Sequence, residues 1–217
     1  MKSKKSLVNY CGLLGPVSLL SIMAAILFAP SAYPGYDWKS QAVSELSASG
    51  APSALLWSQL ASLYAICGLV SIMMACVVAQ GGSNKPLRAG IYLFAAMHWV
   101  SGIGYAMFPL SGSDNANAFQ DIMHNFAVTP MVVLLSVASL MLMILGGFRK
   151  RRLISLAIIA SIALAAMCVG GIGMGAAPAA YFGVFQRFNH FATTGFNAVL
   201  GLYLYFGLLE KQDAPYV

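Results

Sequence analysis

Polar side chains recur on one face of the last apolar stretch of the sequence. In VFQRFNHFATTGFNAVL, residues 184–200, Gln186, His190, Thr193 and Asn197 are spaced by four, three and four residues, which places them on one side of a helix. Imidazole, amide and hydroxyl groups at this spacing can bind a polar ligand, hold a metal ion or relay a proton. A polar face this regular indicates contact with other helices or with an internal cavity rather than with lipid.

The only three histidines of the chain, His98, His124 and His190, all lie within apolar stretches. Together with Asp121 they provide the imidazole and carboxylate groups that bind zinc in proteins. Three alternative roles are open for the histidines. They bind a metal ion together, each makes a hydrogen bond between helices, or they contact a ligand or relay a proton. Spacings such as His-x-x-x-His are absent, so a metal site would need ligands from separate helices. The cofactor is unknown at this point, and haem held by two histidines is a further alternative.

A single arginine lies within the last apolar stretch. An arginine at the centre of a membrane helix costs about 3 kcal/mol on insertion scales, and less near the interface. Arg187 can lower this cost by extending to lipid headgroups or by pairing with an acid. Glu45 and Asp121 are the acids expected on the same side of the membrane, and a bidentate pair would suit a fixed, partly buried position.

The composition indicates an integral membrane protein. Of the 217 residues, 59% are hydrophobic and 8% are charged, whereas soluble domains contain about 25% charged residues. The net charge of +6 does not indicate nucleic-acid binding, because the basic residues form short clusters between apolar stretches. The length suits a single domain, residues 1–217. The four cysteines show no CxxC spacing, so we expect packing residues rather than disulfides or zinc ligands.

Apolar stretches long enough to cross a bilayer recur along the chain. Because backbone polar groups must be hydrogen-bonded internally in lipid, each stretch is predicted to be a helix. The predicted fold is an all-α membrane protein, a six-transmembrane-helix bundle. The first stretch is longer than the apolar core of a cleaved signal peptide, so we expect it to be retained. The predicted spans are residues 8–29, 54–79, 89–109, 122–147, 153–175 and 185–209.

The distribution of basic residues predicts the orientation of these spans. Of the 12 Lys and Arg residues, only Lys39 and Arg187 fall on one side, which leaves ten on the other. Because cytoplasmic loops are enriched in Lys and Arg, the side with ten should be cytoplasmic. We therefore expect both termini inside, in a multi-pass protein of the cell (inner) membrane whose main partner is the lipid bilayer.

One polar stretch on the outer side interrupts the apolar pattern. YPGYDWKSQAVSELSASGAP, residues 33–52, begins and ends with turn residues. Between them we expect a short amphipathic helix over residues 38–47 whose apolar side lies on the bundle. That side is formed by Ala42, Val43 and Leu46. Ser44 or Glu45 would then turn toward Arg187, and the stretch would cover an outer cavity as a lid.

Polar residues of the other spans fall mostly in their outer halves. His98 in the third span and His124 in the fourth are examples, while the inner halves are mostly Leu, Ile, Val, Met and Ala. This pattern predicts a polar cavity that opens outward above a dry inner half. In the fifth span, Gly171 and Gly175 form a GxxxG motif, which predicts close packing against another helix.

The sequence PGYDWKSQAVSELSASGAP, followed by an apolar stretch, resembles the segment after the first helix of a bacterial and archaeal membrane family called domain of unknown function 998. The HN at the head of the fourth span, His124 and Asn125, and the FQR that opens the last span, residues 185–187, are also similar to that family. The resemblance covers most of the chain and implies six helices, but no established activity. The residues that it singles out are Ser44, Glu45, His124 and Arg187.

A looser resemblance is to alkaline ceramidases, membrane hydrolases of seven helices that gather one Ser, one Asp and three His around a zinc. This chain has Ser44, Asp121 and three histidines on one side of the predicted membrane. It differs in helix number and lacks the paired histidine spacing on one helix.

Three functional interpretations follow from the sequence. The first is a membrane protein with an outward-facing polar pocket that binds a small or lipid ligand. The second is a membrane-embedded, metal-dependent hydrolase of a lipid-like substrate, with the three histidines as ligands and Asp121 as base. The third is a non-catalytic membrane subunit or regulator. The sequence does not show whether the protein is an enzyme, and it does not show the oligomeric state. The candidate pocket residues are Ser44, Glu45, His98, Asp121, His124, Gln186, Arg187 and His190.

Overall fold

The computed structural model describes residues 5–111 and 119–210, and within these ranges every regular element is helical. Both termini and Asp114, on which part of the orientation prediction depends, lie outside the described residues. Shorter 3-10 helices lie at Ala29–Ala32, Val43–Ser47, Arg151–Leu153 and Ala179–Tyr181, and a π-helix lies at Met123–Val128. The α-helices are α1 (Leu7–Cys11), α2 (Leu14–Phe28), α3 (Ala54–Leu60), α4 (Tyr64–Gly82), α5 (Lys85–Met107), α6 (Phe119–Ile122), α7 (Thr129–Phe148), α8 (Ile154–Ala176) and α9 (Phe182–Tyr205).

Four helical segments are long and apolar enough to cross a membrane, and they correspond to the first, second, fourth and fifth predicted spans. The segments are Leu7–Ala32, Ala54–Gly82, Phe119–Phe148 and Arg151–Ala176. Their outer surfaces carry large exposed apolar side chains such as Leu20, Leu134 and Ile172, which are 65%, 70% and 70% exposed. Apolar surface of this extent requires lipid around it. The chain is therefore an all-α, multi-pass membrane protein.

The two remaining long helices, α5 and α9, are more polar than these four segments. They contain 23 and 24 residues. At about 1.5 Å per residue each is long enough to cross a hydrocarbon core of about 30 Å. Their existence and approximate bounds agree with the third and sixth predicted spans.

The long helices form a closed ring in chain order. Helices α2, α4, α5, α7, α8 and α9 each pack against the next, and α9 packs back against α2. Short loops between antiparallel helices favour this arrangement, because consecutive helices then lie side by side. Near the basic loops the ring is filled with apolar side chains, including Leu87, Ile91, Leu140, Leu153 and Leu156, all at most 1% exposed. The first and last long helices of the described chain, α2 and α9, are thus direct neighbours.

The helix predicted over residues 38–47 is shorter than expected. Only Val43–Ser47 is helical, as a 3-10 helix, and residues 38–40 form a turn. The turn forms because the Asp37 carboxylate accepts the Lys39 N–H at 3.1 Å and the Ser40 hydroxyl at 2.7 Å, bonds that compete with helix formation. The Ser40 bond, followed by the Lys39 bond, lowers the pKa of Asp37. The predicted apolar side is confirmed, since Ala42, Val43 and Leu46 are buried.

The prediction that Gly171 and Gly175 pack closely against another helix is wrong among the described residues. A Cβ atom at either position would meet no atom within 4 Å. The glycines that let α8 approach α9 are Gly170 and Gly173. A Cβ at Gly173 would lie 2.1 Å from the Phe185 ring, and one at Gly170 would lie 2.7 Å from the Phe185 carbonyl oxygen. The face of α8 that packs on α9 therefore carries Gly170 and Gly173, and the GxxxG motif lies on another face.

Candidate functional site

Arg187 is buried near the start of α9, with 8% of its surface exposed. Its Nη1 donates to the carbonyl oxygens of Trp38 at 2.7 Å, of Gly183 at 2.8 Å and, at the longer distance of 3.4 Å, of Gln41. Its Nη2 donates to the Tyr36 hydroxyl at 2.9 Å. The guanidinium group thus binds the backbone of the outer stretch rather than extending to lipid headgroups. We call Tyr36, Trp38, Gln41, Gly183 and Arg187 the Arg187 cluster.

The outer stretch is held on α9 by further bonds beside this cluster. The Val184 N–H donates to the Lys39 carbonyl at 3.1 Å, and the Val43 N–H donates to the Gln186 side-chain oxygen at 2.6 Å. The close approach requires a glycine, because a Cβ at Gly183 would lie 2.2 Å from the Gln41 carbonyl oxygen. Gln186, predicted to line a pocket, instead fastens the 3-10 helix to α9.

The ion pair predicted between Glu45 and Arg187 is wrong, since the two described side chains bind other groups. The Glu45 carboxylate accepts the Ala42 N–H and the Gln41 side-chain amide, each at 2.8 Å. A glutamate in the first helical turn commonly reaches back to the N–H that precedes it, because this bond closes over only a few residues. Ser44, half-buried, contributes its carbonyl oxygen to the Ser47 hydroxyl. Glu45 therefore stabilises its own turn.

The Tyr36 hydroxyl connects Arg187 to the loop backbone. It accepts the Nη2 bond and donates to the Ala42 carbonyl at 2.9 Å. Burial raises the pKa of Tyr36, and this effect exceeds the lowering by the neighbouring Arg187, so the phenol stays neutral at physiological pH. The rings of Tyr36 and Trp38 both lie 6.0 Å from the Arg187 Cζ atom, at the limit of a cation–π contact.

Asp121 and His124 form a separate cluster, at the junction of α5 with α6. The Asp121 carboxylate accepts the Ser111 N–H at 2.8 Å and the Ser111 hydroxyl at 2.5 Å. The His124 Nδ1 atom lies 2.7 Å from the Phe108 carbonyl oxygen, and the His124 ring packs on Tyr105 at 4.7 Å between centroids. Both side chains therefore bind the residues that follow α5, and neither is hydrogen-bonded to Arg187.

The three histidines do not converge on a common point. Within the described residues, no group of three His, Cys, Asp or Glu side chains is close enough to hold a metal ion. The Nε2 atoms of His98 and His190 are enclosed without a hydrogen-bond partner in the described part of the chain. The rings pack on different aromatic residues: Phe94 for His98, Tyr105 for His124 and Tyr64 for His190. The described residues therefore do not bring His98, His124 and His190 together as the predicted zinc site.

An apolar groove of about 550 Å³ lies between α8 and α9. It extends along α9 from Val184 to Phe196, about 18 Å at 1.5 Å per residue. Among the described residues that line it, Arg187 is the only charged one and the only one of the predicted pocket residues. This groove differs from the polar pocket that the sequence predicted, because its lining is apolar except for one charge at its end. The small residues that leave this space are Ala163, Ala166, Ala192 and Gly195.

Several residues of this region were not singled out by sequence reasoning. The sequence predicts contact with Arg187 through Ser44 or Glu45. It assigns no contact to Tyr36, Trp38 or Gln41, and none of its motifs includes Gly183. The signal for the groove was the run of alanines in α8 opposite Gly195 in α9. Such a pattern also occurs at tight helix contacts, so the sequence does not distinguish a contact from a gap.

Comparison with known proteins places the chain in a family. No curated protein and no solved structure matches it. One family model matches from residue 16 to residue 203, which includes all six long helices apart from the ends of the first and last. The chain belongs to the family described as Protein of unknown function (DUF998).

Proposed function

We propose that this protein is a six-span membrane protein that binds the hydrocarbon tail of an amphiphile in the groove between α8 and α9. The observation that carries the proposal is the groove itself. Its volume lies within the range of about 300–1,000 Å³ typical of small-molecule sites. An apolar, elongated shape matches a hydrocarbon chain better than a compact polar ligand, and the flanking Phe188 is 43% exposed, which leaves the groove open toward the bilayer.

The position of α5 and α9 in the ring supports six spans. Helix α5 packs between α4 and α7, and α9 packs between α8 and α2. Each is thus flanked on both sides by helices that belong to the four apolar segments. A helix of similar length in that position crosses the same thickness, and its polar residues face its neighbours rather than lipid. Six crossings put both termini on the side with the basic loops, which is cytoplasmic by the positive-inside rule.

Cysteine labelling tests this topology. In a variant without native cysteines, Lys39→Cys should react with an impermeant maleimide in intact cells, because residue 39 is exposed and the proposed orientation puts it outside. Arg151→Cys, also exposed, should react only after the membrane is permeabilised. Reaction of both positions in intact cells, or of neither, would contradict an orientation with both termini inside.

The groove is tested with a neutral probe, a monoacylglycerol that carries a photoreactive diazirine in its tail. In nanodiscs of zwitterionic lipid we expect labelled peptides from α8 and α9. Gly195→Leu should weaken labelling about tenfold, because a Cβ at Gly195 points into open space and the added side chain displaces about two methylenes at about 0.8 kcal/mol each.

Gly171→Leu is the matched control. It adds the same side chain to a membrane helix at a glycine with equally open surroundings, but Gly171 does not line the groove. Labelling should stay at the native level. Equal labelling of the native protein and of both variants, or labelling spread evenly over all helices, would rule out binding in the groove.

A further inference from the structure

We propose that the amphiphile is anionic and that Arg187 binds the oxygen atoms of its headgroup at the outer end of the groove. This inference rests on the proposed function of the groove and adds the chemical class of the ligand. The headgroup chemistry is an oxyanion, either the carboxylate of a fatty acid or the phosphate of a lysophospholipid. Two features of Arg187 carry the inference, namely its uncompensated charge and its unused hydrogen-bond donors.

The charge of Arg187 is not neutralised by any acid in the described part of the chain. Its four hydrogen-bond acceptors are three carbonyl oxygens and a phenol. Buried charges in proteins are generally paired, because desolvation of an isolated charge costs several kcal/mol. The described carboxylates are bound elsewhere: Asp37 by Lys39 and Ser40, Glu45 by Gln41 and Ala42, Asp121 by Ser111, and Glu210 by Asn9.

The phenol of Tyr36 does not supply the missing negative charge. Its hydroxyl accepts from Arg187 and donates to the Ala42 carbonyl, and the donated bond requires the proton. The raised pKa of Tyr36, caused first by burial, keeps this proton in place at physiological pH. A negative partner for Arg187 must therefore come from outside the described chain.

Arg187 also keeps donors that no described residue uses. A guanidinium group has five N–H donors, and the bonds within the chain come only from Nη1 and Nη2. Nη2 makes a single bond, and Nε makes none. Nε is not among the fully enclosed polar atoms of the described residues, so part of its surface is exposed. Nε and Nη2 form the edge through which arginine binds carboxylate or phosphate in a bidentate manner.

The surroundings of Arg187 fix this edge beside the groove. The Trp38 and Gly183 carbonyls hold Nη1 on the opposite edge of the guanidinium plane, and Trp38 itself lines the groove. The side chain is therefore pre-organised, and little conformational entropy would be lost on binding a ligand. An amphiphile with its tail between α8 and α9 would place its headgroup at the level of Arg187, near the outer ends of both helices.

The test compares three photoreactive probes that share the same tail, in nanodiscs of zwitterionic lipid at mildly alkaline pH. The probes are a fatty acid, a lysophosphatidate and the neutral monoacylglycerol used above. We expect the native protein to bind at least one anionic probe about tenfold more tightly than the neutral one, as measured by competition. A preference for the fatty acid would identify a carboxylate ligand, and one for the lysophosphatidate a phosphate ligand.

Arg187→Lys separates recognition from loss of folding. Lysine keeps the charge but lacks the planar, bidentate edge, so the anionic preference should fall while labelling by the neutral probe persists. Lys39→Met removes an exposed cation from the same outer stretch and should leave the preference unchanged. Equal binding of anionic and neutral probes by the native protein would overturn the inference and leave the proposed groove intact. Loss of labelling by all probes in the native protein would reject both.

Discussion

Replacing Arg187 with methionine is expected to lower the free energy of unfolding by about 3 kcal/mol. The substitution keeps the apolar stem of the side chain but removes the donors that satisfy the Trp38 and Gln41 carbonyls and the Tyr36 hydroxyl. Each buried acceptor that is left without a partner costs about 1–3 kcal/mol, and water that enters from the outer side reduces the sum. Equilibrium unfolding in mixed detergent micelles measures the loss.

Lys39→Met is the control for removal of a positive charge near the same loop. Its side chain is exposed, so a change of no more than about 0.5 kcal/mol is expected. Trypsin cleavage after Lys39 gives a second measurement, because release of the loop from Arg187 should expose that bond in Arg187→Met but not in the native protein. A loss in Arg187→Met no larger than in Lys39→Met would show that Arg187 does not hold the outer stretch.

Glu45→Gln distinguishes this structure from the ion pair that the sequence predicted. Glutamine still accepts the Ala42 N–H through its side-chain oxygen, so we expect a loss of about 1 kcal/mol or less. The coupling energy with Arg187→Met should be small, because the two residues share only Gln41. Equal losses of stability in the two single variants, together with a double variant nearly as stable as the native protein, would instead indicate a direct pair.

The sequence predicted the long helices of the described chain. They depend on constraints that act along a single segment, namely backbone hydrogen bonding in lipid and hydrophobic length. The buried side of the outer stretch was predicted for the same reason, because the offsets of Ala42, Val43 and Leu46 define one face of any helical turn. The bounds differ from those expected by only a few residues.

The partners of individual polar groups could not be predicted in this way. His98, His124 and His190 were placed correctly on helices, but the rotation of each helix about its axis decides which neighbour a side chain meets. Several donors also compete for each acceptor. The sequence predicts that Glu45 binds Arg187, yet its carboxylate accepts from Ala42 and Gln41, three and four residues earlier in the chain.

Substitution of Gly12 by alanine is expected to destabilise the protein by about 3 kcal/mol, at the upper end of the usual range for overpacking. A Cβ at Gly12 would lie 2.3 Å from the Gly201 carbonyl oxygen and 2.8 Å from the Tyr205 nitrogen. These are backbone atoms of α9, which cannot move aside as a flexible side chain can. The segment between α1 and α2 would have to separate from α9, which opens the ring where the first and last helices meet.

Gly201→Ala and Gly171→Ala provide the matched comparisons, again by unfolding in mixed micelles. A Cβ at Gly201 would lie 2.4 Å from the Gly12 carbonyl oxygen, so this variant should be destabilised similarly. The double variant should lose less than the sum, because one separation of the helices relieves both contacts. Gly171→Ala, with open space around the added atom, should instead gain up to about 1 kcal/mol from helix propensity. If Gly12→Ala behaves like Gly171→Ala, the ring is not closed at this point, and α9 would lack the anchor that holds its groove-lining face toward α8.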